Sequence, residues 1–152
     1  MSIIVRLEEH RLHPEHELGA LLQRMNGDGA VVTFVGVARP QAKSGGKIKT
    51  LTLDHHPSLT RKSLEDIAVA AAERFDVSHV YVVHRCGMVP AGQPIVFAGA
   101  ASAHRRAAFD CADYLMDRLK TDAVFWKKEV GEAGSEWIEP TDADYADRDR
   151  WG

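Results

Sequence analysis

The chain has 152 residues, 45% hydrophobic and 27% charged, with a formal net charge of -3. These values are ordinary for one globular domain, and they exclude a collagen-like, coiled-coil or largely disordered chain. No apolar run approaches the roughly 20 residues that a membrane helix needs, and the first residues lack the apolar stretch of a signal peptide. We therefore expect a cytoplasmic protein whose two cysteines stay reduced.

The charge is unevenly distributed along the chain. From Glu129 onward there are 8 acidic and 2 basic residues, whereas residues 1–128 hold 14 acidic and 17 basic ones. We predict one domain over residues 1–139 and a loosely held acidic tail over 140–152, whose end Trp151 could anchor. This balance argues against wholesale nucleic-acid binding but is compatible with a small anionic ligand held by a few cations.

Hydrophobic spacing and turn residues predict short elements in the first half of the chain. Pro14 suits the first turn of a helix, and the Asn26-Gly27 pair ends it. The β-branched run 30–35 predicts a buried strand. The full set is strands over 3–7, 30–35 and 48–53, a helix from Pro14 to Met25, and a mobile basic loop over 37–47.

The second half is predicted to hold two longer helices and two strand pairs. One helix follows Pro57, since apolar residues from Leu64 to Phe75 fall on one helical face. Another starts near Ser102, a suitable N-cap. The strands are 79–85 and 95–101, joined by a turn with Gly87, Pro90 and Gly92, and a hairpin of 124–130 and 136–139 around Gly131 and Gly134. Because helices and strands do not alternate regularly, we expect an α+β domain rather than a doubly wound sheet.

The segment 102–106, Ser-Ala-His-Arg-Arg, carries the strongest functional signal. A helix dipole favours acidic residues in the first turn, yet this turn holds His104, Arg105 and Arg106. Free N–H groups at a helix start, together with an imidazole and a guanidinium, would bind a phosphate. The alternative is that the arginines are solvated or paired with acidic residues elsewhere.

Three lysines follow this segment. Lys120 lies at the predicted end of the helix, where a cation simply complements the dipole. Lys127 and Lys128 follow Phe125 and Trp126 on a strand, so each lysine shares a face with one aromatic residue. Burial would lower the pKa of such a lysine toward the range useful for proton transfer. The alternative is an aliphatic stem that packs while the ammonium reaches water.

Histidines and cysteines give no recognised metal signature. Two groups of histidines attract notice, namely His55 with His56, and His10 with His13 and His16. Neither has a cysteine or carboxylate partner at a known ligand spacing, so no metal site is predicted. Cys111 lies on the apolar stripe of its helix and is expected in the core, and Cys86 has only Arg85 as a nearby activating cation.

Five segments in order carry a resemblance to a known family. They are Gly29–Gly36 with Arg39, Leu51–Pro57, Val83–Gly87, Ser102–Arg105 and Leu119–Glu129. Together they resemble the large, catalytic subunit of molybdopterin synthase, in a collinear match from Gly29 to Ile138. The chain departs from that family at Val37, where a base is common, and at His56, where a tyrosine is common.

The resemblance implies an α/β hammerhead fold with an additional small antiparallel sheet, and a homodimer within a heterotetramer. Two copies of a small ubiquitin-like carrier would each insert a C-terminal Gly-Gly thiocarboxylate into a pocket. There, two sulfurs would pass to cyclic pyranopterin monophosphate and form the dithiolene of molybdopterin. The implied activity is that of a sulfurtransferase without a cofactor. Because the sulfur arrives on the carrier, neither Cys86 nor Cys111 is needed as a nucleophile, and no metal is needed because molybdenum enters at a later step.

The resemblance also assigns roles to seven residues. Lys120 would polarise the terminal carbonyl of the carrier or move protons, and Lys127 would be the second acid/base group. His104 and Arg105 would hold the substrate phosphate, and Arg39 could add an anion contact across the dimer. The implied substrate-binding residues are Arg39, His104, Arg105, Lys128 and Glu129.

Two other functions stay open. One is a non-catalytic module that binds the tail of a ubiquitin-like carrier, in which Lys120 and Lys127 would be replaceable. The other is a small RNA-binding α+β domain that uses the basic loop from Arg39 to Lys49. RNA recognition favours aromatic residues that stack on bases, and this loop has none.

Overall fold

Two four-stranded sheets and four helices make up the fold, which the computed structural model describes over residues Met1–Gly152. The strands are β1 (Ser2–Glu8), β2 (Ala30–Val37), β3 (Ile48–His55), β4 (His79–Arg85), β5 (Gly87–Pro90), β6 (Pro94–Ser102), β7 (Phe125–Gly131) and β8 (Gly134–Ile138). The helices are α1 (Pro14–Arg24), α2 (Leu59–Arg74), α3 (Arg105–Asp122) and α4 (Asp142–Asp149). None of these helices is both long and apolar enough to cross a lipid bilayer. The expected α+β class is confirmed.

The first sheet has the strand order β1-β4-β6-β2, in which only β1 and β4 run parallel. Its two faces follow the alternation of side chains along β4. Val80 and Val82 pack with α2 and α3, whereas Tyr81 and Val83 pack on the opposite side with Leu21 of α1. Because helices cover both faces, β4 is buried along almost its entire length. His84 continues the row that faces α2 and α3.

The second sheet has the order β5-β3-β7-β8 and is entirely antiparallel. Where the sequence predicts only a turn between β4 and β6, the structure has the additional strand β5, which pairs with β3. Gly87 has a φ of +83°, a conformation that side-chain-bearing residues rarely adopt. This glycine lets the chain pass from the first sheet into the second directly after Cys86.

The two longer helices are confirmed, although one begins later than predicted. In α2, Leu64, Ile67, Ala68 and Ala71 are buried on one face. Helix α3 begins at Arg105, with His104 as its N-cap residue. The prediction of Ser102 as the N-cap is wrong, because Ser102 ends β6 and its hydroxyl donates to the carbonyl oxygen of His104.

The prediction that β2 is buried is wrong. β2 pairs only with β6 and therefore forms an edge of the first sheet. Phe34 is 44% exposed, and Val35 and Val37 are exposed as well. The β-branched residues that favour a strand are consequently also the residues that present an apolar surface at this edge.

The acidic tail is not loosely held, contrary to the sequence-based expectation. Helix α4 starts with a capping box in which Thr141 and Asp144 exchange hydrogen bonds. Trp151 packs edge-on against Phe75 and Tyr114, and its indole N–H donates to Asp117 Oδ2 at 2.6 Å. The predicted anchoring role of Trp151 is confirmed.

Candidate active site

A cleft of about 510 Å³ lies where the second sheet, the end of α3 and the tail converge. Lys120, Lys127, Arg39, Glu129 and Asp144 all line it. Four of these five residues are ones that the sequence singled out for function. The structure therefore brings two lysines, one arginine and two carboxylates together around one solvent-filled space.

Lys127 is the partly buried cation of the cleft. On β7 it shares the inner face of the strand with Phe125, which packs in the core, and with the buried Glu129. Burial, reinforced by the positive charge of Lys120, lowers the pKa of Lys127 to about 8, although Asp144 opposes the shift. About a tenth of Lys127 is therefore neutral at pH 7, far more than for an ordinary lysine, and this fraction is able to accept a proton.

Lys120 reaches the cleft from the C-terminal end of α3 and is exposed. Asp144 approaches from the first turn of α4. Although burial acts to raise it, the pKa of Asp144 is lowered by hydrogen bonds with Thr141 and by the charges of Lys120 and Lys127. The carboxylate thus balances part of the positive charge of the cleft. Sequence reasoning missed Asp144, because the tail contains several acidic residues of similar spacing.

Arg39 and Glu129 form a two-point ion pair across the cleft. The arginine Nε donates to Oε2 at 3.1 Å, and Nη2 donates to Oε1 at 3.4 Å. Glu129 is buried, whereas the Arg39 side chain stays 45% exposed. The glutamate therefore fixes the guanidinium at the mouth of the cleft and leaves part of it free to contact an anion.

His84 is a second site residue that sequence reasoning missed. It is buried, and because Nδ1 lies 2.8 Å from the carbonyl oxygen of Arg85, this nitrogen carries the proton. Burial lowers the pKa of His84 to about 4, against the effect of that hydrogen bond, and the charge of Lys127 lowers it further. The neutral ring lines a second cavity of about 470 Å³ that also contains Lys120 and Lys127. Its position at the end of an apolar row on β4 is the signal that could have identified it.

Lys128 does not line the cleft of its own chain. It points to the opposite face of β7, where its Nζ lies 5.2 Å from the centre of the Trp137 ring. Strand alternation separates Lys128 from Lys127 and makes a cation–π contact its local interaction.

His104 and Arg105 also lie outside the cleft of their own chain. Both are exposed at the start of α3, whereas Lys120 lies near its end. At 1.5 Å per residue, the fifteen residues from Arg105 to Lys120 span about 22 Å of helix. A single copy of the chain therefore keeps the predicted phosphate site apart from the two lysines.

Neither cysteine lines the cleft or the adjoining cavity. Cys111 is fully buried in the main core, and its burial raises the pKa of the thiol to about 12. The thiolate form needed for nucleophilic attack is therefore disfavoured at Cys111.

Comparison with known proteins gives consistent results. A family model described as MoaE protein matches residues 7–122. A Caulobacter vibrioides protein named molybdopterin synthase catalytic subunit is 42% identical over 149 residues, which cover 98% of this chain and 97% of the relative. The structure of molybdopterin cofactor biosynthesis protein E from Burkholderia multivorans is 36% identical, with a TM-score of 0.82 over 100% of this chain and 98% of that one. Molybdopterin synthase from Staphylococcus aureus is 27% identical, with a TM-score of 0.77 over 87% and 94% of the two chains.

Proposed function

The chain belongs to the MoaE protein family, and from that premise we propose that the cleft around Lys120 and Lys127 is its sulfur-transfer site. The activity is that of a molybdopterin synthase catalytic subunit, a transferase in molybdenum cofactor biosynthesis. The sulfur donor is the C-terminal thiocarboxylate of a small ubiquitin-like carrier subunit, and the acceptor is cyclic pyranopterin monophosphate. The observation that carries this proposal is the meeting of an exposed lysine and a partly buried lysine of lowered pKa in one cleft.

The two lysines suit different parts of the reaction. Sulfur transfer forms a C–S bond on the acceptor and breaks the acyl C–S bond of the carrier, whose acyl carbon takes an oxygen from water and ends as a carboxylate. These steps require stabilisation of charge at the acyl oxygen and transfer of protons at the reacting atoms. The ammonium of Lys120 donates to the terminal carbonyl of the carrier. The neutral fraction of Lys127 accepts a proton, since its lowered pKa of about 8 leaves part of the amine unprotonated near neutral pH.

The lining of the cleft fits a Gly-Gly tail. Apolar side chains of Val37, Leu51, Ile95 and Ile138 form part of its wall. A tail without side chains can enter the cleft along this apolar part of its wall and present its terminal group to the lysines. Arg39, held by Glu129, is placed to contact an anionic group of carrier or substrate.

A homodimer would complete the substrate site. Within one chain, His104 and Arg105 are too far from Lys120 to bind the same small molecule. The exposed side chains of Phe34 on β2 and Phe109 on α3 line one shared groove, which supports association of two chains through this face. In the proposed assembly the phosphate-binding residues of one chain serve the lysines of its partner, and a carrier at each cleft makes a heterotetramer.

The deciding experiment is a reconstituted reaction. The chain is mixed with thiocarboxylated carrier and cyclic pyranopterin monophosphate, and molybdopterin is measured over time; carrier ending in an ordinary carboxylate is the control. We expect product only with the thiocarboxylate. If the chain binds the carrier tightly but yields no molybdopterin, it is a non-catalytic carrier-binding module instead. We assign the reaction to the cytoplasm, where two unpaired cysteines are compatible with the redox conditions.

A further inference from the structure

A second cluster of reactive side chains lies outside the cleft, where the two sheets meet. Glu9 follows β1, His55 ends β3, and Cys86 lies between β4 and β5. One ligand atom from each residue lies within 4.8 Å of the other two. The three residues are far apart in the sequence, which explains why no ligand spacing revealed them.

None of these three side chains makes a hydrogen bond or an ion pair within the protein. Cys86 is 2% exposed and its thiol is unpaired, although its backbone N–H donates to the carbonyl oxygen of Glu8 at 2.8 Å. His55 is partly exposed, and Glu9 is exposed. A buried free cysteine often packs as a small apolar residue, but this thiol lies beside an imidazole and a carboxylate that also have no partner in the protein.

The charges around Cys86 favour a cation. The Glu9 carboxylate lies beside the sulfur. A divalent cation would neutralise this carboxylate and favour the thiolate as a ligand. A role for Cys86 as a nucleophile is less compatible with the structure, because the residue is only 2% exposed.

We propose that Glu9, His55 and Cys86 bind one zinc ion, with the fourth position open to water. Thiolate, imidazole and carboxylate are all established zinc ligands. Zinc bonds of about 2.0–2.3 Å in tetrahedral geometry place ligand atoms about 3.5 Å apart. Atoms already within 4.8 Å need to close by little more than about 1 Å, and the exposed Glu9 can rotate to do so.

The ion would add a side-chain link between the two sheets, next to the place where the backbone passes from one to the other at Cys86 and Gly87. His55 belongs to the second sheet and Glu9 follows a strand of the first. Zinc at this point would therefore stabilise the packing of one sheet against the other. This role is independent of the sulfur-transfer cleft, which contains none of the three residues.

The test titrates the purified full chain with Co²⁺, whose bond to a thiolate gives a charge-transfer absorption band, and then displaces Co²⁺ with Zn²⁺. We expect one equivalent of metal per chain, the thiolate band, and a higher melting temperature with Zn²⁺. Cys86→Ala should abolish the band and lower Zn²⁺ affinity by more than about 100-fold. Loss of a group that only hydrogen-bonds to a zinc ligand already lowers metal affinity by about 10- to 100-fold. His55→Ala should weaken binding likewise.

Two controls separate this site from other metal binding by the chain. His13, Glu15 and His16 form another cluster of possible ligands, but all three are exposed and it contains no thiol. His13→Ala should leave the thiolate band and the Zn²⁺-dependent rise in melting temperature intact, as should Cys111→Ser in the folded state. A parent chain without the thiolate band, or a folded Cys86→Ala variant with parental Zn²⁺ affinity, would overturn the proposal.

Discussion

The imidazole of His84 stacks on the ring of Phe125, with ring centroids 4.3 Å apart and planes inclined by 26°. This pair joins β4 of the first sheet to β7 of the second. Phe125 shares the inner face of β7 with Lys127, so the contact helps to fix the strand that carries a proposed catalytic lysine. His84 is buried and adjoins the lysines, which makes it both a structural and an electrostatic neighbour of the cleft.

The neutral state of His84 predicts a pH-dependent stability. Its folded pKa of about 4 lies below the ordinary value of 6.5, so the unfolded chain binds the proton more readily. The free energy of unfolding should therefore fall as the pH drops from about 6.5 to about 4, with a maximum contribution of about 3 kcal/mol. Urea denaturation of the parent and of His84→Asn across this range measures the difference, because asparagine does not titrate.

The exposed His13 provides a control for that measurement. His13→Asn should leave the slope of stability against pH close to that of the parent. Parallel curves for the parent and His84→Asn would show that His84 titrates normally in the folded chain.

Replacing Lys120 with Arg should distinguish the stabilising effect of a positive charge at this position from the proposed catalytic role of the lysine. A cation at the end of α3 stabilises the helix dipole by only about 0.3–1 kcal/mol, and arginine supplies the same charge. A guanidinium stays protonated and has a different shape, so turnover should fall by about 100- to 10,000-fold while the melting temperature is retained. The rate of molybdopterin formation and a thermal melt measure the two effects.

Lys62→Arg is the matched control, because Lys62 is an exposed lysine on α2 paired with Asp66. This variant should turn over like the parent. Parental turnover by Lys120→Arg would instead mean that the residue contributes only charge.

The pH dependence of turnover should follow the protonation state of Lys127. If the neutral amine accepts a proton, the rate rises with pH through the Lys127 pKa of about 8. The Asp144 carboxylate raises that pKa, so Asp144→Asn should move the midpoint to lower pH. Asp142→Asn removes an exposed carboxylate from the same turn and should move it much less. Identical midpoints for all three proteins would argue against Lys127 as the titrating group.

Mixed dimers test whether the site is shared between chains. Arg105→Ala should weaken substrate binding by about 1.5–3 kcal/mol, as expected for a hydrogen bond to a charged group, and Lys120→Ala should abolish turnover. In a dimer of one chain of each kind, a shared site leaves one site intact and places both defects in the other. Mixing the two variants should therefore restore activity, measured as molybdopterin formed per dimer.

The opposite result is equally informative. If each site used Arg105 and Lys120 of the same chain, every site in the mixed dimer would contain one defect, and no activity would return. A mixture of Lys120→Ala and Lys127→Ala is the control. Because both lysines line the cleft of one chain, every site in this mixed dimer contains one defect. No activity should therefore return, wherever Arg105 acts; restored activity would mean that two chains form the cleft itself.

Local sequence patterns predict an element correctly where the pattern itself requires one particular environment. The helical spacing in α2 requires one buried face, and the structure has it. β2 was predicted as a strand but not as an exposed edge, since strand order depends on contacts distant in sequence. β5 was missed because Gly87 and Pro90 mark turns more strongly than four residues indicate a strand.

In the candidate site as well, local patterns place some residues, and only the tertiary fold places the others. Alternation along β7 predicts that Lys127 and Lys128 lie on opposite faces, and the structure places Lys127 on the same face as Phe125. His84 and Asp144 reach the lysines from β4 and α4, elements whose positions no short segment encodes. The pairing of Arg39 with Glu129 across ninety residues likewise follows from the folded arrangement alone.

The anchored end of the chain also provides a spectroscopic reporter. Of the three tryptophans, Trp126 and Trp137 are 53% and 56% exposed, whereas Trp151 packs against Phe75 and Tyr114. Replacing the two exposed indoles with phenylalanine would leave a single fluorophore whose emission reports whether the tail is seated. Because α4 carries Asp144 into the cleft, rapid-mixing fluorescence with such a chain can follow in real time whether the tail stays in place when a carrier arrives.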